Sequence, residues 1–225
     1  MDPASPAERL ASGAAWEQFC ESLKTAGQAI LAESPDHPVD RAEGIRYLTR
    51  LTRLAFRLAI EIVTAQIERL EPALVILLGQ AGGRAALSVE RVAINVDDAS
   101  IADNAGRQPV DEPVAPAGPA AYFATVPVKA MTAAIRAAGV PAEVSNSAGT
   151  FVCNHLFYGV LHFLAASGRD ARAGFIHVPW LESQAVARPG QPAMALATMV
   201  RGVEAAIVAA LETATDVKMA AGTLD

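Results

Sequence analysis

Cys153 stands where a Ser/Gly/Thr-rich turn, "SNSAGT", gives way to an amphipathic run, "FVCNHLFYGVLHF". A thiol at the start of a helix is placed for nucleophilic chemistry, because the unpaired N–H groups there favour the thiolate. Packing is the competing explanation, since a free cysteine behaves as a small hydrophobe. A thiolate nucleophile also needs a base, and the base needs a third group to orient it. Three histidines follow Cys153 in the chain. His155 is two positions on and points about 200° away around a helix, and His162 lies about two and a half turns further along. His177 closes the apolar run "AGFIHVP". For the third group the spacing leaves Glu90, Asp97 and Asp98 open. "GQAGGR", residues 79–84, lacks both the GxGxxG spacing of a dinucleotide site and the lysine of a P-loop, and reads as a tight turn with Gln80 as a polar handle.

The elements that must hold these groups alternate between strand and helix. "ALVILLG" (73–79) is a short, continuously apolar run bounded by Pro and Gly, which suits a strand buried on both faces. "RVAINV" (91–96) is a second strand candidate, and the Pro/Gly/Asp/Asn-rich stretch from 97 to 123 reads as loop. A helix over 127–138, a strand and turn in "PAEVSNS", a helix over 151–166, a strand in "AGFIHVP" and a closing helix over 192–213 complete the series. Alternation of this kind predicts an α/β fold with a largely parallel sheet and helices on both faces. In such a sheet the strand C-termini and helix N-termini share one edge. A helix from 151 to 166 runs roughly 24 Å out, and the following strand returns roughly 20 Å. The chain path therefore brings His177 back to the edge where Cys153 lies.

Composition narrows the classes. The 225 residues carry a net charge of -6 with no Lys/Arg cluster, which argues against nucleic acid as a partner. Two cysteines 133 residues apart form neither a CxxC nor a zinc-ligand pattern. No basic segment followed by an apolar run opens the chain, and the apolar stretches are too short to span a bilayer, so the expected setting is cytoplasmic, without membrane contact. Residues 6–70 read as helical, with a break at "SPDHP" and Asp40 and Glu43 placed as a capping box.

"GQAGGRAALSVERVAINVDDASIADNAGRQPVDEPVAPAGPAAYFATVPVKAM", "SNSAGTFVCNHLFYGVLH" and "AGFIHVPWLESQ" resemble, in that order, the motifs of the pyroglutamyl peptidase I family, over residues ~60–212. The resemblance implies a cytoplasmic cysteine peptidase with a phosphorylase/hydrolase-like α/β fold and no metal or cofactor. It implies that the enzyme removes N-terminal pyroglutamyl residues from peptides and forms a homo-oligomer, a tetramer in the family. Carried over by motif, it makes Cys153 the nucleophile, His177 the general base and acid, and Glu90 the third member. It also implies that Gln80, Ile101, Phe151 and Val152 line the lactam pocket.

Two departures from the family pattern stand out. Family members begin with a strand and a glycine-rich loop of the type "TGFxPFGG", whereas this chain has "WEQFCESLKTAGQAILAESPDHPVDRAEGIRYLTRLTRL". The reading is a helical N-terminal segment, residues 1–58, that replaces the family's first strand, followed by a peptidase-like α/β domain, residues 59–225. Ser100 also occupies a position where many family members have Arg. Two alternatives follow: a working peptidase, or a non-catalytic peptidase-like protein with an incomplete pocket.

Overall fold

The computed structural model of the protein describes residues 56–103 and 106–222. The expected helices before residue 56, with the Asp40 cap, lie outside the described residues. The elements run α1 (Phe56–Leu70), β1 (Leu74–Gln80), β2 (Leu87–Glu90), β3 (Val92–Ile94), β4 (Ala121–Phe123), α2 (Val128–Ala137), β5 (Ala142–Ser145), α3 (Val152–Ser167), β6 (Arg172–Val178), β7 (Trp180–Leu181), the single-turn α4 (Glu182–Ala185), β8 (Ala193–Met194) and α5 (Leu196–Glu212).

The main sheet has the order β1-β6-β2-β5. β1 runs parallel to β6 and β2 parallel to β5, while β2 and β6 are antiparallel. Residues along a strand face alternate sides, and both sides are covered here. Val75 and Leu77 of β1 and Ala173 and Phe175 of β6 meet Leu156, Phe157 and Val160 of α3 and Val63 and Ile67 of α1. Ile76, Leu78, Ile176 and Val178 turn the other way, onto Met131 and Ile135 of α2 and Val203 and Ala206 of α5. Leu77, Leu78, Phe175 and Ile176 are fully buried, as continuous apolar strands in a three-layer α/β/α fold must be. Gly159 lets α1 approach α3, since a Cβ there would come 2.2 Å from Ile60.

Two features depart from the local expectations. The strand expected over 91–96 narrows to Val92–Ile94, and an unexpected strand, Leu87–Glu90, precedes it. Leu87–Glu90 enters the main sheet, and Val92–Ile94 pairs antiparallel with Ala121–Phe123 in a separate ribbon. The stretch expected as loop thus contains a strand. The sheet is largely parallel as expected, with β1–β6 and β2–β5 parallel and β2 antiparallel to β6. The N-terminus of α2 starts at Pro127 without a side-chain cap of its own. Asp216, beyond α5, accepts from the N–H groups of Lys129 (3.1 Å) and Ala130 (2.9 Å) instead, placing a negative charge at a helix N-terminus. Among the described residues no helix is long and apolar enough to cross a membrane.

Candidate active site

β1 and β6 end together at one edge of the sheet, with Gly79 in register with His177 and Leu77 with Phe175. His177 and Phe175 therefore look to the face covered by α3, and their rings lie 4.7 Å apart between centroids. Cys153, the second residue of α3 and half-buried, reaches the same spot. A Cβ built on Gly79 would come 3.0 Å from its Sγ and 2.7 Å from Phe175 Cζ. The sulfur thus rests on a gap in the ladder that only glycine leaves open, at the position paired with His177. Gly79→Ala is expected to push either the thiol or Phe175 out of place. Overpacking of this kind costs about 1–3 kcal/mol, and moving a reacting group by about 1 Å costs about 10²-fold in rate. Thermal unfolding and steady-state kinetics on one preparation would show both effects, and a variant with the parent's kcat would rule the crowding out.

Glu90, at the end of β2 and fully buried, orients the imidazole through a 2.7 Å bond from His177 Nδ1 to its Oε1. The same oxygen accepts Arg84 Nη1 at 2.8 Å, while Oε2 is buried without a hydrogen-bond partner. Burial pushes the Cys153 thiol up to about 12, the charge of Glu90 pushes it the same way, and the charge of Arg84 pulls it down. Burial also holds the His177 imidazole below its ordinary value, with Glu90 opposing and Arg84 reinforcing the drop. The sequence expectation that the helix start favours a thiolate meets a larger opposing term here. A helix N-terminus is worth about 0.3–1 kcal/mol, less than one pKa unit. Burial thus favours the uncharged form of both groups, the thiol and the neutral imidazole.

The start of α3 is fastened from its other side. Asn154, fully buried, accepts from the Ile94 N–H (2.9 Å) and donates to Ile94 O (2.9 Å) and Val96 O (3.0 Å). Thr150 and Asp98 exchange two bonds of 2.8 Å. Asp97, left open by spacing as a partner for His177, instead takes His155 Nδ1 at 2.7 Å, and Asp98 is exposed. Neither orients His177. The other weak candidate, His162, shares a 2.9 Å bond with Tyr122 Oη. Phe151, the N-cap, makes no side-chain cap bond, and the first helical bond is His155 N–H to Phe151 O. The N–H groups of Val152, Cys153 and Asn154 precede that bond, on the helix turn that carries the thiol.

Of the expected pocket residues, Phe151 and Val152 pack with Ala99. Gln80 ends β1 beside the site and donates to Gln184 Oε1 and to Pro179 O (3.3 Å). Gln184 in turn accepts the Leu181 N–H at 2.9 Å. Ile101 is 60% exposed, two residues beyond Ala99 and outside that cluster. Ser100 is exposed as well. A cavity of ≈ 650 Å³ lined by Ile60, Glu61, Asp97, Arg107 and His155 lies at the His155 side of α3, and Cys153, His177 and Glu90 do not line it. Among the described residues no group of three or more His, Cys, Asp or Glu side chains is arranged to hold a metal ion. Arg84 and Gln184 escaped the sequence reading. Arg84 closes "GQAGGR", a signal already quoted, but its partner lies six residues on around a turn, where spacing predicts no contact.

The pyroglutamyl peptidase family model matches residues 41–213. A pyrrolidone-carboxylate peptidase of Cupriavidus necator is 58% identical over 170 residues, covering 75% of this chain and 79% of its own. One from Erwinia tasmaniensis is 53% identical over 179 residues, covering 80% and 83%. Among solved structures, the pyrrolidone carboxyl peptidase of Thermococcus litoralis superposes with a TM-score of 0.72 at 36% identity, over 74% of this chain and 80% of that one. Pyroglutamyl peptidase I of Bacillus amyloliquefaciens gives 0.70 at 38% identity, over 72% and 76%.

Proposed function

The chain belongs to the pyroglutamyl peptidase family, and on that premise we propose that it is a cysteine peptidase releasing N-terminal pyroglutamate from peptides, with Cys153 as nucleophile, His177 as base and acid, and Glu90 as the orienting carboxylate. The observation that carries this reading is the buried 2.7 Å bond from His177 Nδ1 to Glu90, in register with the glycine on which the Cys153 sulfur rests. That bond fixes the proton on Nδ1 and leaves Nε2 to act on the thiol.

The steps follow from these groups. His177 Nε2 takes the thiol proton as Sγ bonds to the pyroglutamyl carbonyl carbon. The N–H groups at the start of α3 receive the developing oxyanion. The imidazolium then gives its proton to the departing amide nitrogen, the C–N bond breaks, and the shortened peptide leaves with a free amine. Water, deprotonated by His177, attacks the thioester, releases pyroglutamate and restores the thiol. Gln80, Ile101, Phe151 and Val152 line the lactam slot in this reading. A compact neutral ring with one carbonyl and one N–H needs apolar walls and few polar partners, and Phe151 and Val152 with Gln80 supply that mix.

The reading is tested by release of a fluorogenic amine from a pyroglutamyl amide under reducing conditions, with the matching prolyl amide as control. Turnover of the first and not the second is expected, because the prolyl ring lacks the lactam carbonyl and carries a protonated amine in place of the neutral amide N–H. Equal turnover of both, or none from a folded protein, would overturn it.

A further inference from the structure

We propose that Arg84 is a positioning residue for the catalytic pair: its guanidinium shares the carboxylate oxygen that orients His177 and offsets the Glu90 charge that Cys153 and His177 experience. The inference rests on the peptidase reading of Cys153, His177 and Glu90 given above. Its basis is geometric. Glu90 is fully buried, and both of its hydrogen bonds fall on Oε1, from His177 Nδ1 at 2.7 Å and from Arg84 Nη1 at 2.8 Å. Oε2 has no hydrogen-bond partner. Without Arg84 the carboxylate would be a desolvated charge held by the imidazole alone. Arg84 comes from the turn after β1, is 28% exposed, and extends Nη2 toward Ser147 O (3.5 Å) in the turn that leads into α3. It therefore touches the segments that carry Glu90 and Cys153 and acts on His177 through Glu90.

The charge balance gives the sign of the effect. Among the described groups, the charges facing the pair are Glu90 of β2 and Arg84. Glu143 of β5 is engaged by Ser88, and Asp97 by His155 behind α3. With Arg84 present, the cluster of thiol, imidazole, carboxylate and guanidinium is neutral overall; without it a net negative charge is buried. Negative charge disfavours the thiolate and favours the imidazolium, so both groups hold their protons to higher pH. The pull of Arg84 on each group runs in the matching direction, downward for the thiol and for the imidazole. Both limbs of a bell-shaped kcat/KM profile thus move to alkaline pH when Arg84 is lost, whichever proton form is active. A merely structural role would lower the whole profile without moving its limbs.

The test compares parent, Arg84→Met and Arg84→Lys on a pyroglutamyl amide across pH. For Arg84→Met both limbs are expected to move alkaline by about one pH unit, with about tenfold lower kcat/KM on the acid side, and added guanidinium ion is expected to restore part of the loss. Arg84→Lys keeps the charge but not the planar fork, so its limbs stay in place while kcat falls several-fold at unchanged KM. Unmoved limbs in a folded Arg84→Met protein would overturn the proposal. If that variant does not fold, Arg84→Lys decides, and a parent-like kcat overturns it. A parent without turnover would defeat the peptidase reading alone. The pH dependence of Cys153 alkylation, followed by peptide mass spectrometry to separate it from Cys20, then tests Arg84 by itself. A profile shifted alkaline in Arg84→Met supports the inference, and one superposed on the parent overturns it.

Discussion

Cys153→Ala is expected to abolish turnover of a pyroglutamyl amide, by at least about 10³-fold, while leaving the fold intact. In triads of this type the residual rate after loss of the nucleophile comes only from binding and oxyanion contacts. The fold should survive, because the lost atom is one sulfur on a half-buried side chain that rests against Gly79 and Phe175. The helix start is held by Asn154 and by the His155–Asp97 pair, and neither contact involves the thiol. Far-UV circular dichroism and thermal unfolding on the same sample separate a dead enzyme from an unfolded one. A folded Cys153→Ala protein with the parent's rate would remove Cys153 from the chemistry.

Glu90→Gln is the second large effect, about 10³–10⁴-fold in kcat by the behaviour of a carboxylate that orients a histidine. The substitution keeps the shape but cannot satisfy the site in either orientation. With the amide oxygen toward His177 and Arg84, the N–H₂ group occupies the buried position where Oε2 has no partner. With the nitrogen toward them, a donor faces the Arg84 donor and forces the imidazole to surrender the proton on Nδ1, so that Nε2 is no longer a base. In both cases the imidazolium formed during attack loses its compensating charge. The thiol responds with the opposite sign. The Glu90 charge is one of the two causes holding it up, second to burial, so its removal makes the thiol easier to ionise. Alkylation of Cys153 at mildly alkaline pH is therefore expected to rise as turnover falls. Turnover at the parent's rate, or a fall in both, would contradict this account of Glu90.

The two measurements separate roles that a single activity assay would merge. Loss of turnover with loss of alkylation describes a missing or buried thiol, as in Cys153→Ala. Loss of turnover with enhanced alkylation describes a thiol whose base has been disabled.

The sequence by itself determined the long helices and the two long apolar strands, β1 and β6. The continuously apolar runs in "ALVILLG" and "AGFIHVP" suit strands buried on both sides, and the structure divides those residues between two helical layers. Chain length also carried Cys153 and His177 to one edge, because a helix out and a strand back have nearly equal reach. The choice of Glu90 came from motif resemblance, since spacing left Asp97 and Asp98 equally open. Only the tertiary structure decided what depends on residues far apart in the chain. The four residues of β2 hold too little pattern to declare a strand, and their place against β6 is set by pairing across the sheet. That pairing brings Glu90 to His177 over 87 positions and leaves Asp97 to His155 over 58. It also buries the carboxylate, so that Arg84 becomes its second donor. Periodicity is a local property and can be read along one strand; partners, burial and charge are properties of neighbours that only the packed sheet assembles.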